Sequence, residues 1–185
     1  MAEITLTGGD KLEARLEAIA SKISRGAFLR VGFLEGATYP DGTPVATVAA
    51  IQNFGAPAKG IPERPFFTNW IESKSKSWGE ALINRLKAND WDLPKSLEQM
   101  GLGMSGQLRQ SIVDTNAPAL SNVTLLLRER FSDHANIEFG DVLDAWRDVA
   151  AGVEPTISGT GAKPLVWTGH MLQSVDYEVT ETGGE

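Results

Sequence analysis

The chain has 185 residues, 42% apolar and 22% charged, enough for one globular domain with its own core. It holds no cysteine, which excludes disulfides, zinc–thiolate sites, iron–sulfur clusters and a cysteine nucleophile. Seventeen basic residues against 24 acidic ones leave a net charge of −7, the opposite of the basic footprint of a domain that grips nucleic acid. The two histidines, His134 and His170, are too far apart in sequence for a compact metal motif. No run of about 18 apolar residues is present, so no membrane-spanning helix is expected. The first five residues have no signal-peptide pattern.

In chain order, Glu3–Thr7 alternate polar and apolar and predict a short strand. Gly8 and Gly9 break it. Asp10 is a candidate N-cap with Glu13 three residues on, and Leu12, Leu16, Ile19 and Ile23 mark one apolar stripe of a helix over about 11–23. Residues 27–34 predict a strand with Ala27, Leu29, Val31 and Phe33 on one face. Gly36, Pro40, Asp41 and Gly42 predict a turn. Residues 44–53 predict a short helix, capped by Thr43 with Pro44 in first position; it is apolar nearly all round and is expected to be largely buried. After the Pro/Gly-rich loop 55–65, a helix is predicted over 66–88, with Phe67, Ile71, Trp78, Leu82 and Leu86 on its stripe. Asn89–Asp92 break the pattern. Leu97, Met100, Met104, Leu108 and Ile112 mark a second long helix that ends before Pro118.

Residues 121–130 fit a helix capped by Ser121 or an extended segment. Residues 139–152 carry a weak helical signal in Val142, Ala145, Trp146 and Val149, and 153–162 read as a linker. Thr168 caps one or two turns over 169–174. Val175, Tyr177 and Val179 then alternate with polar residues as a half-buried final strand. The order predicts an α+β fold: a small, mostly antiparallel sheet braced by several helices, with long loops, in one domain over 1–185 that carries an insertion at 129–162.

Few motifs point to chemistry. Gly101-Leu-Gly-Met-Ser-Gly106 matches a dinucleotide fingerprint literally, but it lies on a helical stripe with no preceding strand, so the expected role is close approach of another backbone or, equally, a local break in the helix. Neither histidine sits near a recognisable nucleophile pattern. The carboxylates are scattered, and a facing pair would be visible only in the fold. Trp70 and Trp78 share one helix face and are expected in a core or interface. Trp91 and Trp167 lie in breaks and are candidates for partner contacts. Arg64, held between Pro62 and Pro65, suits a fixed ion pair or an inter-subunit contact. No catalytic residue, metal or cofactor is expected.

The arrangement Tyr39-x-Asp-Gly-x-x-Val-Ala-x-x-Ala-x-x-x-x-Phe-Gly55, followed by Ile61-Pro-x-Arg-Pro-Phe66, resembles the tail-completion and neck proteins of tailed bacteriophages, the HK97 gp10-like or virion-morphogenesis group. The segment Lys163-Pro-Leu-Val-Trp-Thr-Gly-His170, running through Ser174 to Val179, resembles the same group's ending, although Trp167 stands where an acid is commoner. The two segments span about a third of the chain. The resemblance implies a non-enzymatic structural protein of the virion, found at the head–tail junction or the head-proximal tail. It implies a homo-oligomeric ring, usually a hexamer, that joins the portal or head-closure (adaptor) protein to the tail terminator and tail tube. Genomic DNA would pass through without specific binding, and no membrane is involved. Expected subunit contacts are Phe54, Gly55, Arg64, Pro65, Phe66, Trp91, Trp167, Thr168 and Gly169. The alternatives are a tail terminator or other minor tail protein, a monomeric adaptor and, from another class, a small carboxylate-dependent hydrolase.

Overall fold

Two long apolar stripes separated by four residues fold as a helical hairpin. In the computed structural model, which describes residues 9–23, 26–132 and 137–181, these are α3 (Phe66–Ala88) and α4 (Leu93–Asp114). Between them Asp90 and Trp91 take left-handed φ values of 51° and 63°, and the Trp91 amide donates to the Leu86 carbonyl at 2.7 Å. Asp92 starts α4 by accepting from the Lys95 amide at 3.0 Å, with Pro94 in the first turn.

The other helices are α1 (Gly9–Ile23), α2 (Val45–Phe54), α5 (Asn122–Arg130), α6 (Phe139–Ala150) and α7 (His170–Gln173). The strands β1 (Ala27–Phe33) and β2 (Val175–Glu181) pair antiparallel, with Ala27 opposite Glu181 and Phe33 opposite Val175. The fold is α+β, as predicted. The strand expected at residues 3–7, like His134, lies outside the described residues.

Two paired strands are marginal alone and need a helix behind them. Here α4 packs on both. Leu29 and Tyr177 cover Gly101, where a Cβ would come 2.3 Å from Tyr177 Cδ2 and 2.8 Å from Leu29 Cδ1. Gly101 thus makes room for a close neighbour, but that neighbour is two side chains of the sheet and not the backbone expected. Gly106 has open space around it. The alternation expected in both strands is present: Asp176, Glu178 and Thr180 point to solvent while Val175, Tyr177 and Val179 pack inward.

Val45, Phe66, Leu108, Ile112 and Val175 are completely buried at the centre of the core. Around them the rings of Phe33, Phe66, Phe67, Trp70 and Trp78 pack in sequence with centroid separations of 5.2–6.4 Å. Trp70 and Trp78 thus share a core face, as expected. The inner stripe of α3 begins one residue earlier than predicted: Phe66 and Trp70 are buried, Phe67 is half-buried and Ile71 is exposed. The Phe66 ring meets Phe33 edge-on, which turns the helix onto that face.

Three helices differ from expectation in ways that bear on function. Helix α2 is not largely buried. Val45, Ala49 and Asn53 face inward, and Ala46, Ala50 and Phe54 face out, because α3 and β1 cover only one side. Thr43 does not cap it. Pro44 holds the N-cap position, and the Val45 amide is satisfied by the Ala37 carbonyl at 2.9 Å. Helix α1 begins at Gly9, so Asp10 lies in its first turn rather than at the cap. The first half of its stripe is uncovered, with Leu12 61% exposed and Leu16 57%, while Ile19 is half-buried. The Lys22 ammonium ties it to the body, reaching the Asp90 carboxylate at 2.5 Å.

In the segment expected as an insertion, α6 packs on α5 through Ala145, while Trp146, predicted on the inner stripe, is 65% exposed. The 121–130 ambiguity resolves as helix: the Ser121 hydroxyl accepts from the Thr124 amide at 3.2 Å. No helix among the described residues is long and apolar enough to cross a membrane.

Candidate functional site

The two segments singled out by motif, 39–67 and 163–175, converge on one side of the molecule. A tight turn brings Tyr39 forward: its amide donates to Thr43 O at 2.8 Å, and Asp41 Oδ1 accepts from the Thr43 amide at 2.9 Å. The Tyr39 ring lies 4.6 Å from the His170 ring, and His170 Nε2 meets Thr38 O at 2.9 Å. On the opposite segment Thr168 Oγ1 accepts from the His170 amide at 3.3 Å, but Thr168 is not the cap expected of it: Gly169, at a left-handed φ of 73°, holds the N-cap position of α7. Between them is an open cleft of about 410 Å³, lined by Tyr39, Asp41, Gln52, Arg128, Trp167 and His170 among others.

Next to the cleft, the hydrogen bonds of one side chain of α2 fix that helix against α3. Asn53 is 3% exposed. Its Oδ1 accepts from the Phe67 amide at 2.9 Å and the Thr68 amide at 3.2 Å, two otherwise free donors in the first turn of α3. Its Nδ2 donates to Thr68 Oγ1. One helix end thereby caps the next and fixes the angle between them. Gly55 follows at φ 72°, and a Cβ there would lie 2.8 Å from the Glu63 nitrogen. Only glycine lets the 55–63 loop close on itself, and the Ala56–Ile61 backbone pair then seals it.

Two arginines complete the site. Arg64 is 6% exposed. Its Nε donates to Pro118 O at 3.3 Å and a terminal nitrogen to Gln52 Oε1 at 3.0 Å. Its partners are a carbonyl and an amide, so among the described residues it makes no ion pair, the first of the two roles expected of it. Burial lowers its pKa from the ordinary value. Arg128 donates to the carbonyls of Gly161, Lys163 and Pro164 at 2.6–3.1 Å and stacks over the Trp167 ring at 5.2 Å. Burial, with the Arg64 charge second, brings its pKa down to about 10. The Tyr39 phenol is raised, chiefly by burial and secondarily by the Asp41 charge.

Of the residues expected at contacts, Trp167, Thr168 and Gly169 line this cleft. Phe54, 70% exposed, is not among the cleft's lining residues and borders a separate apolar depression with Ala46, Ala50 and Phe67, and Gly55 follows it. Pro65 is the N-cap of α3. Arg64 and Phe66 are taken up inside the protomer, Phe66 completely, because both pack where α2 meets α3. Trp91 lies on the α3–α4 turn, half-buried and apart from the cleft.

Sequence reasoning missed Gln52, Asn53 and Arg128. Asn53 had a signal: it follows Val45 and Ala49 at helical spacing, so a polar residue was due on the inner face. Arg128 had none, because its neighbours come from a distant loop. The shifted carboxylates among the described residues, Asp90 and Glu129, are both lowered, by Lys22 and by hydrogen bonds from Thr156, and both lie at the surface. Among the described residues no group of three His, Asp or Glu is arranged to hold a metal. No family model matches this chain, and no curated protein or solved structure matches it.

Proposed function

We propose that this protein is a structural subunit of a tailed-phage virion that closes with copies of itself into a ring, six-fold, at the head–tail junction. One side of the ring meets the portal or head-closure protein, and the other meets the tail terminator or tail tube. The genome passes through the axis without specific binding.

The observation that carries this reading is the set of apolar faces left uncovered on separate elements. On α6, Phe139, Leu143 and Trp146 recur at i, i+4 and i+7 and are 77%, 42% and 65% exposed. On α1, Leu12 and Leu16 form a second stripe, and Phe54 ends a third on α2. A closed ring is built from heterologous contacts, in which two different surfaces of each subunit meet. A chain with several unlike apolar faces has the surfaces such a contact needs, and scattered single leucines would not supply them. The local geometry of the motif segments adds support: Gly55 lets the 55–63 loop close, Arg64 ties that loop to Gln52 and Pro118, and Phe66 anchors the start of α3 in the core. A net charge of −7 per copy disfavours retention of DNA in the channel, provided the acidic residues face it.

The test is deletion of the gene in a phage that carries it. Filled heads beside finished, unattached tails are expected. Tails of uncontrolled length would assign the terminator role instead, and normal infectious particles would refute a structural role at the junction.

A further inference from the structure

We propose that the cavity enclosed by α5 and the loop before α7 is a binding site for an oxyanion, a carboxylate or phosphate group, held by Arg64 and Arg128. The cavity measures about 250 Å³, below the range of pockets for drug-sized ligands. Both arginines line it, together with Gln52, Thr124 and Trp167, and no carboxylate of a described residue does.

Two like charges sharing a desolvated space repel each other, and burial makes each costlier unless a counter-charge is present. Neither arginine takes part in an ion pair among the described residues. Their hydrogen bonds go to neutral groups: Pro118 O and Gln52 Oε1 for Arg64, and three backbone carbonyls for Arg128. Those bonds orient the guanidinium groups, but all of these partners are neutral. Arg128 Nε is buried and has no hydrogen-bond partner. A buried donor without an acceptor adds to the cost of holding that charge. The donor open to a ligand oxygen is the second terminal nitrogen of Arg64, which makes no hydrogen bond among the described residues and is not sealed from the cavity.

The supporting groups fit the same ligand. Gln52 uses its oxygen on Arg64, so its amide hydrogens are left to donate, and the Thr124 hydroxyl can donate as well. The Trp167 face covers the Arg128 guanidinium from one side, which directs an in-plane acceptor to its edge. The oxyanion comes either free from solution or on an acidic side chain of a chain docked at the cleft. This inference stands apart from the ring proposal, since a monomer of any function would bind the anion equally.

The test is a titration of the intact protein, at constant ionic strength, with inorganic phosphate in one arm and a short glutamate-rich peptide in the other. The readout is the arginine Nε–H resonances. Saturable shifts of Arg64 and Arg128 are expected, with surface Arg30 and Arg147 unmoved. Thr124→Val, which removes a donor but neither arginine, should weaken binding about tenfold. Tighter binding of the peptide assigns the docked-chain source; tighter binding of phosphate assigns the free ion. Four resonances that shift alike without saturation, or an Arg128 resonance that ignores both probes, would overturn the proposal.

Discussion

The α3–α4 hairpin with its sheet and the α5–α6 pair are built on opposite terms. In the first, the main apolar stripes close on one another, Phe66 and Trp70 from α3, Leu108 and Ile112 from α4, and Val175 from β2, and the exposed apolar residues Phe28, Ile83 and Leu102 stand singly on different elements or turns. In the second, the burial is slight, Leu126 and Ala145, and lies outside the main cluster, while Phe139, Leu143 and Trp146 face away. The hairpin region is anchored by dispersion and water exclusion. The α5–α6 region is fastened by polar links: Arg128 to three carbonyls, Arg130 to Asp148, and Glu129 to Thr156. An element held by directional bonds with its apolar face outward is arranged for a further contact, and an element that has used its face is arranged for stability.

That contrast can be broken at either end. Phe66→Ala, in the hairpin region, should lose about 3–5 kcal/mol in denaturant unfolding. A loss under about 1 kcal/mol would mean the aromatic cluster is not the core. Next comes Gly101→Ala, which forces a Cβ against Tyr177 and Leu29; a cost of about 1–3 kcal/mol is expected, relieved in part by a smaller residue at Tyr177. Asn53→Ala removes the acceptor for two amides of α3 and should cost about 1–3 kcal/mol by the same measurement.

Gly106→Ala, five residues along the same helix as Gly101 but with open space, should instead stabilise by about 0.5–1 kcal/mol. Opposite signs at the two glycines would separate packing from propensity directly. The smallest effect on stability belongs to Phe139→Glu and Trp146→Glu on α6, within about 0.5 kcal/mol by thermal unfolding, yet both should abolish self-association.

Two titrations sharpen the comparison. Tyr39 should ionise above the ordinary tyrosine value of about 10, seen as a late component at 295 nm that Tyr39→Phe deletes. Its raised pKa means the folded state keeps a proton the unfolded state has lost, so stability falls as pH rises above that value. Asp90 is shifted the other way by Lys22. The α1 tether is therefore complete above the ordinary aspartate value and is lost as pH falls through the lowered one, which hydrogen exchange on α1 would follow.

The fold was legible where periodicity and burial coincide. The β2 alternation, the break at Asn89–Asp92 and the stripe from Leu97 to Ile112 could all be read because one neighbour covers each face. Helix α2 was misread because small apolar residues do not say which side has a neighbour. Trp146 was misread because a helix stripe is assumed to face its own core, and here the wider apolar face is the uncovered one. The site was half legible. Gly55 and Thr168 act through their own backbone neighbourhood, which sequence carries. Arg128 acts on carbonyls some 33 to 36 residues away, a meeting that only the docking of α5 produces.

If α1 and α6 are interfaces between copies around an axis, cryo-electron microscopy of the assembled particle will show a cyclic layer at the head–tail junction in which Trp146 and Leu12 are covered by neighbouring subunits. A particle without this chain, or a layer in which both helices face open solvent, would rule the ring out.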